Sequence, residues 1–481
     1  MKLDLSWEDR EVLVVGAGES GLAAARLLTA LKCIVTITDQ KREDLLPGVR
    51  DKAPESVRWL FGPQNKKVYE DSDLIVISPG VPYDLPELNS ARSCGVEVVG
   101  EMELAFREQS LPILAVTGSN GKTTVTSLTS YILAKSPEFN PFTGGNIGNP
   151  LSNLACDYVI GRRVDFNAAV LEVSSFQLET TSDFVAEGAA VLNVTPDHLD
   201  RHRSMADYFH LKCRIFDNQT TEDVAVLNED DYLLSRKTVK GRRFGFSRRR
   251  RPPVGGYVRQ EPREDVLVIV EGEKILAEAP WSEFKLFGTH NQENVLASVG
   301  LAMAVGMEAG EALLGARDFR PGDHRLQLVD EINGIRYYDD SKGTNVGAVA
   351  KALENFDDPI VLIAGGRDKD LDFAFLRPLI EEKVKNLVLI GETQDKMRAA
   401  FRGAAPVSLA DSMEEAVSVA SRLASAGQIV LLSPACASFD MFKDYKDRGE
   451  AFCREVKALK KGPLPRPGRQ GGKKSGGRKN E

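Results

Sequence analysis

The chain has 481 residues, of which 42% are hydrophobic and 27% are charged, and its formal net charge at pH 7 is −8. This length exceeds what one hydrophobic core serves, so we expect two to four domains, and the acidic balance argues against a general nucleic-acid-binding protein. No apolar run approaches the ~20 residues that span a bilayer, and the first residues lack the charge pattern of a signal peptide. The six cysteines form no C-x-x-C pair, which favours reduced thiols in a cytoplasm over disulfides or a zinc site.

Short β-branched runs alternate with amphipathic helical stretches, a pattern typical of α/β domains with largely parallel sheets. The first series of strands runs from EVLVVG to VEVVGE. The second begins at LPILAVTG and closes with the helical stretch THNQENVLASVGLAMAVG, and the third runs from GIRYYDDS to QIVLLSPACAS. We place domain boundaries near residues 108 and 322, so that the predicted parts are 1–107, 108–322, 323–462 and a tail over 463–481.

Two segments break this alternation. FSRRRRPPVGG, residues 246–256, concentrates arginines beside two prolines, and the end of the chain is basic and rich in glycine and proline. We interpret the first as a solvated loop and the second as a disordered tail. Weak contact with RNA or with a membrane surface is the alternative.

The first glycine loop is Gly16-x-Gly18-x-x-Gly21, which follows a predicted strand and begins a helix. This is the context of a dinucleotide-binding loop, and Asp39 ends the next strand, where an acidic residue usually meets a ribose hydroxyl. A dehydrogenase is the obvious interpretation, but nothing downstream resembles a hydride-transfer site. The loop therefore predicts a nucleotide-bearing ligand of open identity, and a tight turn without a ligand is the alternative.

The second glycine loop, Gly118 to Thr123, ends in Lys-Thr and lies between an apolar strand and a helix. It is shorter than the usual P-loop pattern, which would place a glycine at Val116. The backbone N–H groups and the helix N-terminus can still face phosphates, Lys122 can reach the β and γ oxygens, and Thr123 offers a hydroxyl to Mg²⁺. We predict that this loop holds the nucleotide that is split.

A metal ion beside these phosphates needs oxygen or imidazole ligands. Glu172 ends the buried run NAAVLE, and His198 follows the next strand. Because parallel strands bring their carboxyl ends to one edge of a sheet, we expect Lys122, Glu172 and His198 to converge there. The neighbouring Asp197 and Asp200 are interpreted as turn caps.

Lys212 lies within the apolar stripe of a predicted helix, RSMADYFHLKCRIFDNQ. From the residues alone, the favoured interpretation is snorkelling, in which the stem packs and the ammonium group reaches water. The alternative is a desolvated lysine with a lowered pKa. A neutral amine of that kind can react with CO₂ to form a carbamate, which is an anion able to hold a second Mg²⁺.

Motifs in a fixed order carry a family resemblance: GAGESG, GSNGKTT, GGNIG, EVSSFQLE, NVTPDHLD, THNQEN, DDSKGTN and SPACASFDMFKDYKDRG. Together they resemble the Mur ligases of peptidoglycan synthesis over nearly the whole chain. The resemblance implies an α/β protein of three domains, with a Rossmann-like N-terminal domain, a P-loop ATPase-like central domain and a Rossmann-like C-terminal domain. It also implies that the first loop holds the uridine diphosphate of a substrate rather than NAD.

The implied activity is the ATP-dependent addition of D-glutamate to UDP-N-acetylmuramoyl-L-alanine through an acyl phosphate, and SSFQLE and SPACAS favour this acceptor within the family. The implied cofactors are ATP and Mg²⁺, with two ions. The partners are these small molecules, without a specific nucleic acid or a membrane span. We expect a cytoplasmic monomer that serves cell-wall synthesis and cell division.

The resemblance assigns residues of this sequence to each ligand. The UDP-substrate positions are Gly16, Gly18, Glu19, Ser20, Gly21, Asp39, Gln40, Lys41, Gly80 and Asn146. The ATP positions are Gly118, Ser119, Asn120, Gly121, Lys122, Thr123, Thr124, Asn291, Asn294, Arg325 and Asp340. The D-glutamate positions are Thr344, Lys369, Ser438, Phe439 and Tyr445. The metal positions are Thr123, Glu172, His198 and a carbamylated Lys212, and the catalytic positions are Lys122, His198, Lys212 and Lys342.

Three other functions compete with this interpretation. A dehydrogenase would leave the second glycine loop unexplained. A folate polyglutamate ligase uses the same chemistry, but it would lack the first Rossmann-like domain. A P-loop binding or switch protein would bind the nucleotide without joining two substrates, and substrate-dependent phosphate release separates it from a ligase.

Overall fold

The computed structural model describes residues 7–197, 201–202, 204–286, 288–320, 322–368 and 371–461. The chain divides into two compact units, one up to Gly322 and one from Asp323 onward. Among the described helices, none combines the length and the apolar character needed to cross a bilayer. The predicted basic tail over 463–481 lies outside the described residues.

A five-stranded parallel sheet begins the first unit, in the order β3-β2-β1-β4-β5. Its strands are β1 (Glu11–Val15), β2 (Ile34–Asp39), β3 (Arg58–Phe61), β4 (Leu74–Ile77) and β5 (Glu97–Gly100). The helices of this part are α1 (Glu19–Ala30), α2 (Lys66–Glu70), α3 (Pro86–Ser93) and α4 (Glu101–Arg107). All residues of β4 are buried, as expected where both faces of a parallel sheet are covered.

A nine-stranded sheet completes the first unit, in the order β14-β13-β12-β11-β10-β9-β6-β8-β7. Its strands are β6 (Ile113–Thr117), β7 (Pro141–Gly145), β8 (Ala168–Glu172), β9 (Gly188–Val191), β10 (Val224–Asn228), β11 (Arg242–Ser247), β12 (Val254–Gln260), β13 (Asp265–Glu271) and β14 (Lys274–Pro280). The helices are α5 (Lys122–Leu133), α6 (Leu151–Val159), α7 (Ser175–Leu178), α8 (Met205–Cys213), α9 (Thr289–Ala304) and α10 (Ala309–Gly315).

The antiparallel part of this sheet was not predicted from the sequence. β13 pairs antiparallel with both β12 and β14, and Gly272, at φ +57°, lies in the turn between β13 and β14. The segment 246–256 is also not a loop throughout, because β11 extends to Ser247 and β12 begins at Val254. Between these strands Arg249, Arg250 and Arg251 are exposed.

The second unit contains a six-stranded sheet in the order β15-β16-β20-β17-β18-β19. Its strands are β15 (Gln327–Ile332), β16 (Ile335–Asp339), β17 (Ile360–Gly365), β18 (Val384–Ile390), β19 (Val407–Leu409) and β20 (Ile429–Leu432). β15 pairs antiparallel with β16, and the other pairs are parallel. The helices are α11 (Val346–Glu354), α12 (Arg377–Lys383), α13 (Gln394–Ala400), α14 (Met413–Leu423) and α15 (Tyr445–Ala458).

Glu103 on α4 joins the two sheets of the first unit through a fully buried carboxylate. Its oxygens accept hydrogen bonds from the backbone N–H groups of Ser182, Asp183 and Phe184 at 3.0 to 3.1 Å. Arg107 Nε lies 3.1 Å from the same carboxylate. The buried charge of Glu103 is therefore matched by a cation and by three backbone N–H donors.

We expect Glu103→Ala to lower the free energy of unfolding by about 3–5 kcal/mol, because the substitution removes the acceptor of three backbone N–H groups and one of the carboxylates that pair with Arg107. Chemical denaturation monitored by circular dichroism measures this loss. Glu97→Ala is the matched control, since Glu97 is half exposed and pairs with the same Arg107 at 2.8 Å. The control should cost less than about 1 kcal/mol, and equal losses in the two variants would contradict the role given to Glu103.

Candidate active site

The first glycine loop, between β1 and α1, lines a cavity of about 600 Å³ in the first unit. Nine of the ten residues predicted for the UDP substrate line it, namely Gly16, Gly18, Glu19, Ser20, Asp39, Gln40, Lys41, Gly80 and Asn146. Gly21 lies beneath the loop instead, where a Cβ atom would come within 1.9 Å of the Gly16 carbonyl oxygen. Ser78 and Gln64 also line the cavity, although sequence reasoning did not select them.

Asp39 organises this loop through backbone hydrogen bonds. Its Oδ2 accepts from the N–H of Ala17 at 2.9 Å, and its Oδ1 accepts from the N–H of Lys41 at 2.9 Å. Gly16 has φ +99°, and a side chain there would collide with Ser78 Oγ at 2.9 Å. The carboxylate thus fixes the loop conformation while it lines the cavity, where lone pairs remain to accept further hydrogen bonds.

The second glycine loop is held against the residues that follow β9. Asn120 N–H donates to Asn193 Oδ1 at 2.8 Å, and the amide of Asn193 donates to the Asn120 carbonyl at 3.1 Å. Ser119 Oγ donates to the Thr195 carbonyl at 2.8 Å. Asn193 and Thr195 belong to the NVTPDHLD motif, which sequence reasoning used only for its histidine and neighbouring acids.

Two lysines meet at one carbonyl group of this loop. Lys122 Nζ donates to the carbonyls of Gly118 and Ser119 at 2.7 and 2.8 Å. Lys212 Nζ donates to the same Gly118 carbonyl at 2.9 Å.

A glycine is required at position 121, where φ is +86°, because a Cβ atom there would lie 2.8 Å from Asn294 Oδ1 on α9. Asn294 in turn donates to Asn291 Oδ1 at 2.8 Å, so these two predicted ATP residues lie together beside the loop.

Lys212 does not snorkel. The residue is 1% exposed, and burial, with a smaller contribution from the positive charge of Lys122, lowers the pKa of Lys212 well below its ordinary value. Its ammonium group lies 4.5 Å from the ring centroid of Tyr208. The snorkelling interpretation from composition was therefore wrong, since the apolar stripe of α8 packs inward together with this side chain.

Oxygen ligands for a cation converge beside the loop. Thr123 Oγ1 donates to Glu172 Oε2 at 2.6 Å, and Asn146 Nδ2 donates to Glu172 Oε1 at 2.8 Å. Glu172 is 3% exposed and ends β8, which pairs with β6 directly before the loop. A buried carboxylate and a hydroxyl are hard oxygen donors that fit Mg²⁺. His198, which was also predicted as a metal ligand, lies outside the described residues. Thr124, which was predicted for ATP, is buried in α5.

Among the residues predicted for D-glutamate in the second unit, Thr344 lies on the loop after β16, Ser438 and Phe439 lie on the loop after β20, and Tyr445 begins α15. Lys342 Nζ lies 3.8 Å from the ring centroid of Tyr445, and the N–H of Thr344 donates to the Lys342 carbonyl at 2.8 Å. Ser438 is 3% exposed, whereas Phe439 is 62% exposed. Lys369 lies outside the described residues.

Asp340, which directly follows β16, is half-buried, and the surroundings of its carboxyl group disfavour the charged form. Burial raises the pKa of Asp340 to about 7, against the opposing effect of a hydrogen bond from Ser433 Oγ at 2.7 Å and the positive charge of Arg325. The native carboxyl group therefore binds a proton between about pH 4 and pH 7, where the unfolded one does not. In this window stability falls as the pH rises.

We expect Asp340→Asn to stabilise the second unit by roughly 1–2 kcal/mol at pH 8 and by much less at pH 5, because the amide carries no charge to desolvate. Thermal unfolding at both pH values measures this difference. Asp357→Asn is the control, since that side chain is fully exposed. A stabilisation that does not change with pH would argue against desolvation of the carboxylate.

Three mostly parallel sheets, with a lysine-bearing glycine loop before α5 and a second glycine loop lining a cavity, define a multidomain α/β protein with a P-loop-like phosphate site. Family models match three segments: "Mur ligase MurD-like, N-terminal domain" at residues 10–100, "Mur ligase middle domain" at 116–302 and "Mur ligase, glutamate ligase domain" at 324–436. The chain belongs to the Mur ligase family.

Individual relatives agree with this assignment. The UDP-N-acetylmuramoylalanine--D-glutamate ligase of Geotalea uraniireducens is 43% identical over 94% of this chain and 98% of its own. A pseudomurein peptide ligase type C from Methanothermus fervidus has a similar fold, with a TM-score of 0.60 and 16% identity over 94% of this chain and 100% of its own. MurF ligase from Thermotoga maritima in complex with ADP also has a similar fold, with a TM-score of 0.59. The two sequences are 13% identical, and the match covers 94% of this chain and 96% of the MurF chain. The predicted family, ligase class and three-domain α/β fold are confirmed.

Proposed function

We propose that this chain joins D-glutamate to UDP-N-acetylmuramoyl-L-alanine and splits ATP in doing so. The observation that carries the proposal is the 43% identity, over almost the whole of both chains, to a relative named for this reaction. The two separate phosphate-binding loops support it, because one serves the uridine diphosphate of the precursor and the other serves ATP. The reaction takes place in the cytoplasm on a monomer.

Three parts of the chain divide the work. Residues 1–107, together with Asn146, hold the UDP substrate in the 600 Å³ cavity. Residues 108–322 hold ATP at the second loop, and residues 323–462 hold D-glutamate, with 463–481 predicted as a tail. The ADP complex of MurF ligase from Thermotoga maritima supports adenine-nucleotide binding by this fold. Ser438 and Lys369 bind the two carboxylates of D-glutamate by charge-assisted hydrogen bonds.

The first chemical step makes the L-alanyl carboxylate reactive. A carboxylate oxygen attacks the γ-phosphorus of ATP, the bond to the β–γ bridging oxygen breaks, and ADP leaves. Lys122 and the N–H groups of the second loop neutralise charge on the transferred phosphoryl oxygens. Thr123, Glu172, His198 and a carbamylated Lys212 would hold magnesium ions, which when bound supply Lewis-acid stabilisation of phosphate charge.

The second step forms the amide. The amine of D-glutamate attacks the acyl phosphate, a tetrahedral intermediate forms, and inorganic phosphate departs with the former carboxylate oxygen while the amine loses a proton. No protein nucleophile is needed. Cys436 is fully buried and burial raises its pKa to about 11, so it stays a packed thiol rather than a thiolate.

Oxygen transfer tests the chemistry directly. With ¹⁸O in the alanyl carboxylate, one labelled oxygen should appear in the inorganic phosphate released when ATP and D-glutamate are both present. Acceptor preference is tested in the same assay with L-glutamate, L-lysine and meso-diaminopimelate, which should support far less ADP release. Unlabelled phosphate would refute the acyl phosphate, and equal use of the other amino acids would refute the assignment to D-glutamate.

A further inference from the structure

Arg448 on α15 is a charged side chain buried in the second unit. It is 1% exposed and ranks among the largest fully buried side chains. Its Nε donates to Ser341 Oγ at 2.9 Å, one terminal nitrogen donates to the Ser341 carbonyl at 2.7 Å, and the other donates to the Cys436 carbonyl at 3.1 Å. All three acceptors are neutral.

This arrangement is costly for a guanidinium group. In the described part of the chain Arg448 forms no ion pair, and burial lowers its pKa to about 10, so the side chain is still charged at neutral pH. A buried cation with only neutral acceptors contributes little to stability relative to an apolar side chain of similar volume. We therefore look for the role of Arg448 in the positions of the loops that its hydrogen bonds hold together, rather than in stability.

The acceptors of Arg448 belong to the two loops that carry the predicted D-glutamate residues. Ser341 precedes Lys342 and Thr344 in the loop after β16, and its hydroxyl also donates to the Tyr445 carbonyl at 2.8 Å. Cys436 precedes Ser438 in the loop after β20. The two loops also meet directly, for example through the bond from the N–H of Ala435 to the Gly343 carbonyl at 2.9 Å.

The third loop at this edge of the sheet passes close to the arginine. A Cβ atom at Gly366, after β17, would lie 3.3 Å from a terminal nitrogen of Arg448 and 2.3 Å from the Ala437 carbonyl oxygen. The N–H of Arg367 donates to the same Ala437 carbonyl at 2.9 Å. Gly366 and Arg367 begin the segment that leads to Lys369.

We infer that Arg448 is a positioning residue for the amino-acid substrate, which fixes the spacing between the loop of Thr344 and the loop of Ser438. This inference deepens the proposed function and rests on it. The planar guanidinium binds both polar oxygen atoms of Ser341 and the Cys436 carbonyl at once, a geometry that a lysine ammonium cannot reproduce. Arg448 itself does not bind the substrate, because the residue is only 1% exposed and its three polar nitrogens are already bonded to protein oxygens.

Arg448→Lys is the primary test variant. We expect its KM for D-glutamate to rise roughly 10- to 100-fold, because small displacements of binding groups carry penalties of this size. The KM for UDP-N-acetylmuramoyl-L-alanine should stay within about twofold, since that substrate is bound by the first unit. Arg454→Lys is the matched control on the same helix, where the side chain is 69% exposed, and it should leave both constants unchanged.

Two further variants keep the test decisive if Arg448→Lys folds poorly in thermal unfolding. Ser341→Ala removes one acceptor of the guanidinium and should raise the KM for D-glutamate in the same direction by a smaller factor. Arg448→Ala should regain D-glutamate affinity when guanidinium ion is added at non-denaturing concentration, which a general loss of stability would not allow.

The outcomes separate this inference from the proposed function. If the unaltered chain does not use D-glutamate, the proposed function fails. If the unaltered chain uses D-glutamate and the folded variants keep its KM, or lose affinity for all substrates equally, the positioning role is wrong.

Discussion

Replacing Lys122 by alanine should lower turnover at least about 10³-fold. The lysine begins α5 directly after the glycine loop, and its ammonium group lies within 2.8 Å of the carbonyls of Gly118 and Ser119. In the proposed reaction this cation neutralises charge that builds up on the transferred phosphoryl oxygens. Alanine supplies neither the charge nor a donor, and neither water nor the helix N-terminus can replace a fixed cation at that position.

Measurement of kcat by coupled ADP release tests this expectation. Binding of UDP-N-acetylmuramoyl-L-alanine should be unchanged in Lys122→Ala, because the 600 Å³ cavity is lined by other residues. Lys135→Ala is the matched control, since Lys135 is exposed just beyond the end of the same helix. A near-normal kcat in Lys122→Ala, or an equal loss of kcat in Lys135→Ala, would show that Lys122 does not act at the phosphate site.

The positions of both glycine loops could be predicted from the sequence because local rules determine them. A glycine-rich run after a buried strand and before a helix typically forms the phosphate-binding turn that connects the two elements. The same topology brought Glu172 to Thr123, since β8 lies beside β6 and both strands end at one edge. Nine of the residues that the family resemblance assigned to the UDP substrate line one cavity.

Contacts between distant segments could not be predicted in this way. Asp39 was assigned to a ribose hydroxyl, but its oxygens also accept from Ala17 and Lys41, which only the folded loop reveals. The strands β12 to β14 were not predicted as antiparallel. The hairpin of β13 and β14 interrupts a βα pattern, and apart from the turn at Gly272 its sequence gives no strong signal for a hairpin. The burial of Arg448 could not be predicted from the sequence, because an arginine in a charged stretch of helix is expected to be exposed to solvent.

Lys212→Ala should lower turnover by about 10²- to 10³-fold. The side chain is 1% exposed, and burial lowers the pKa of its amine well below the ordinary value, which favours the neutral form. In the proposed modification that amine attacks the carbon of CO₂, the new N–C bond forms as one C=O electron pair moves to oxygen, and a proton leaves to solvent. The carbamate would be an anion beside the second glycine loop, where it would serve as a ligand for magnesium. Alanine removes this anion and leaves an empty space behind.

Short carboxylic acids provide the sharpest test of the carbamate. Acetate or propionate can enter the space left in Lys212→Ala and supply the missing carboxylate, so activity should rise with their concentration. The unaltered chain should show no such activation. Lys212→Arg, which cannot form a carbamate and is too long for the space, should be inactive and should not respond to added acids.

A direct readout does not depend on turnover. Equilibration of the unaltered chain with ¹³C-bicarbonate should give a carbamate carbon resonance that disappears in Lys212→Ala, whereas Lys122→Ala should retain it. Lys122 lies at the same carbonyl but is less buried, and the positive charge of Lys122 contributes to the low pKa of Lys212, so its removal should weaken the resonance without abolishing it. Full activity in Lys212→Ala, or an identical resonance in both variants, would show that the buried amine serves packing alone.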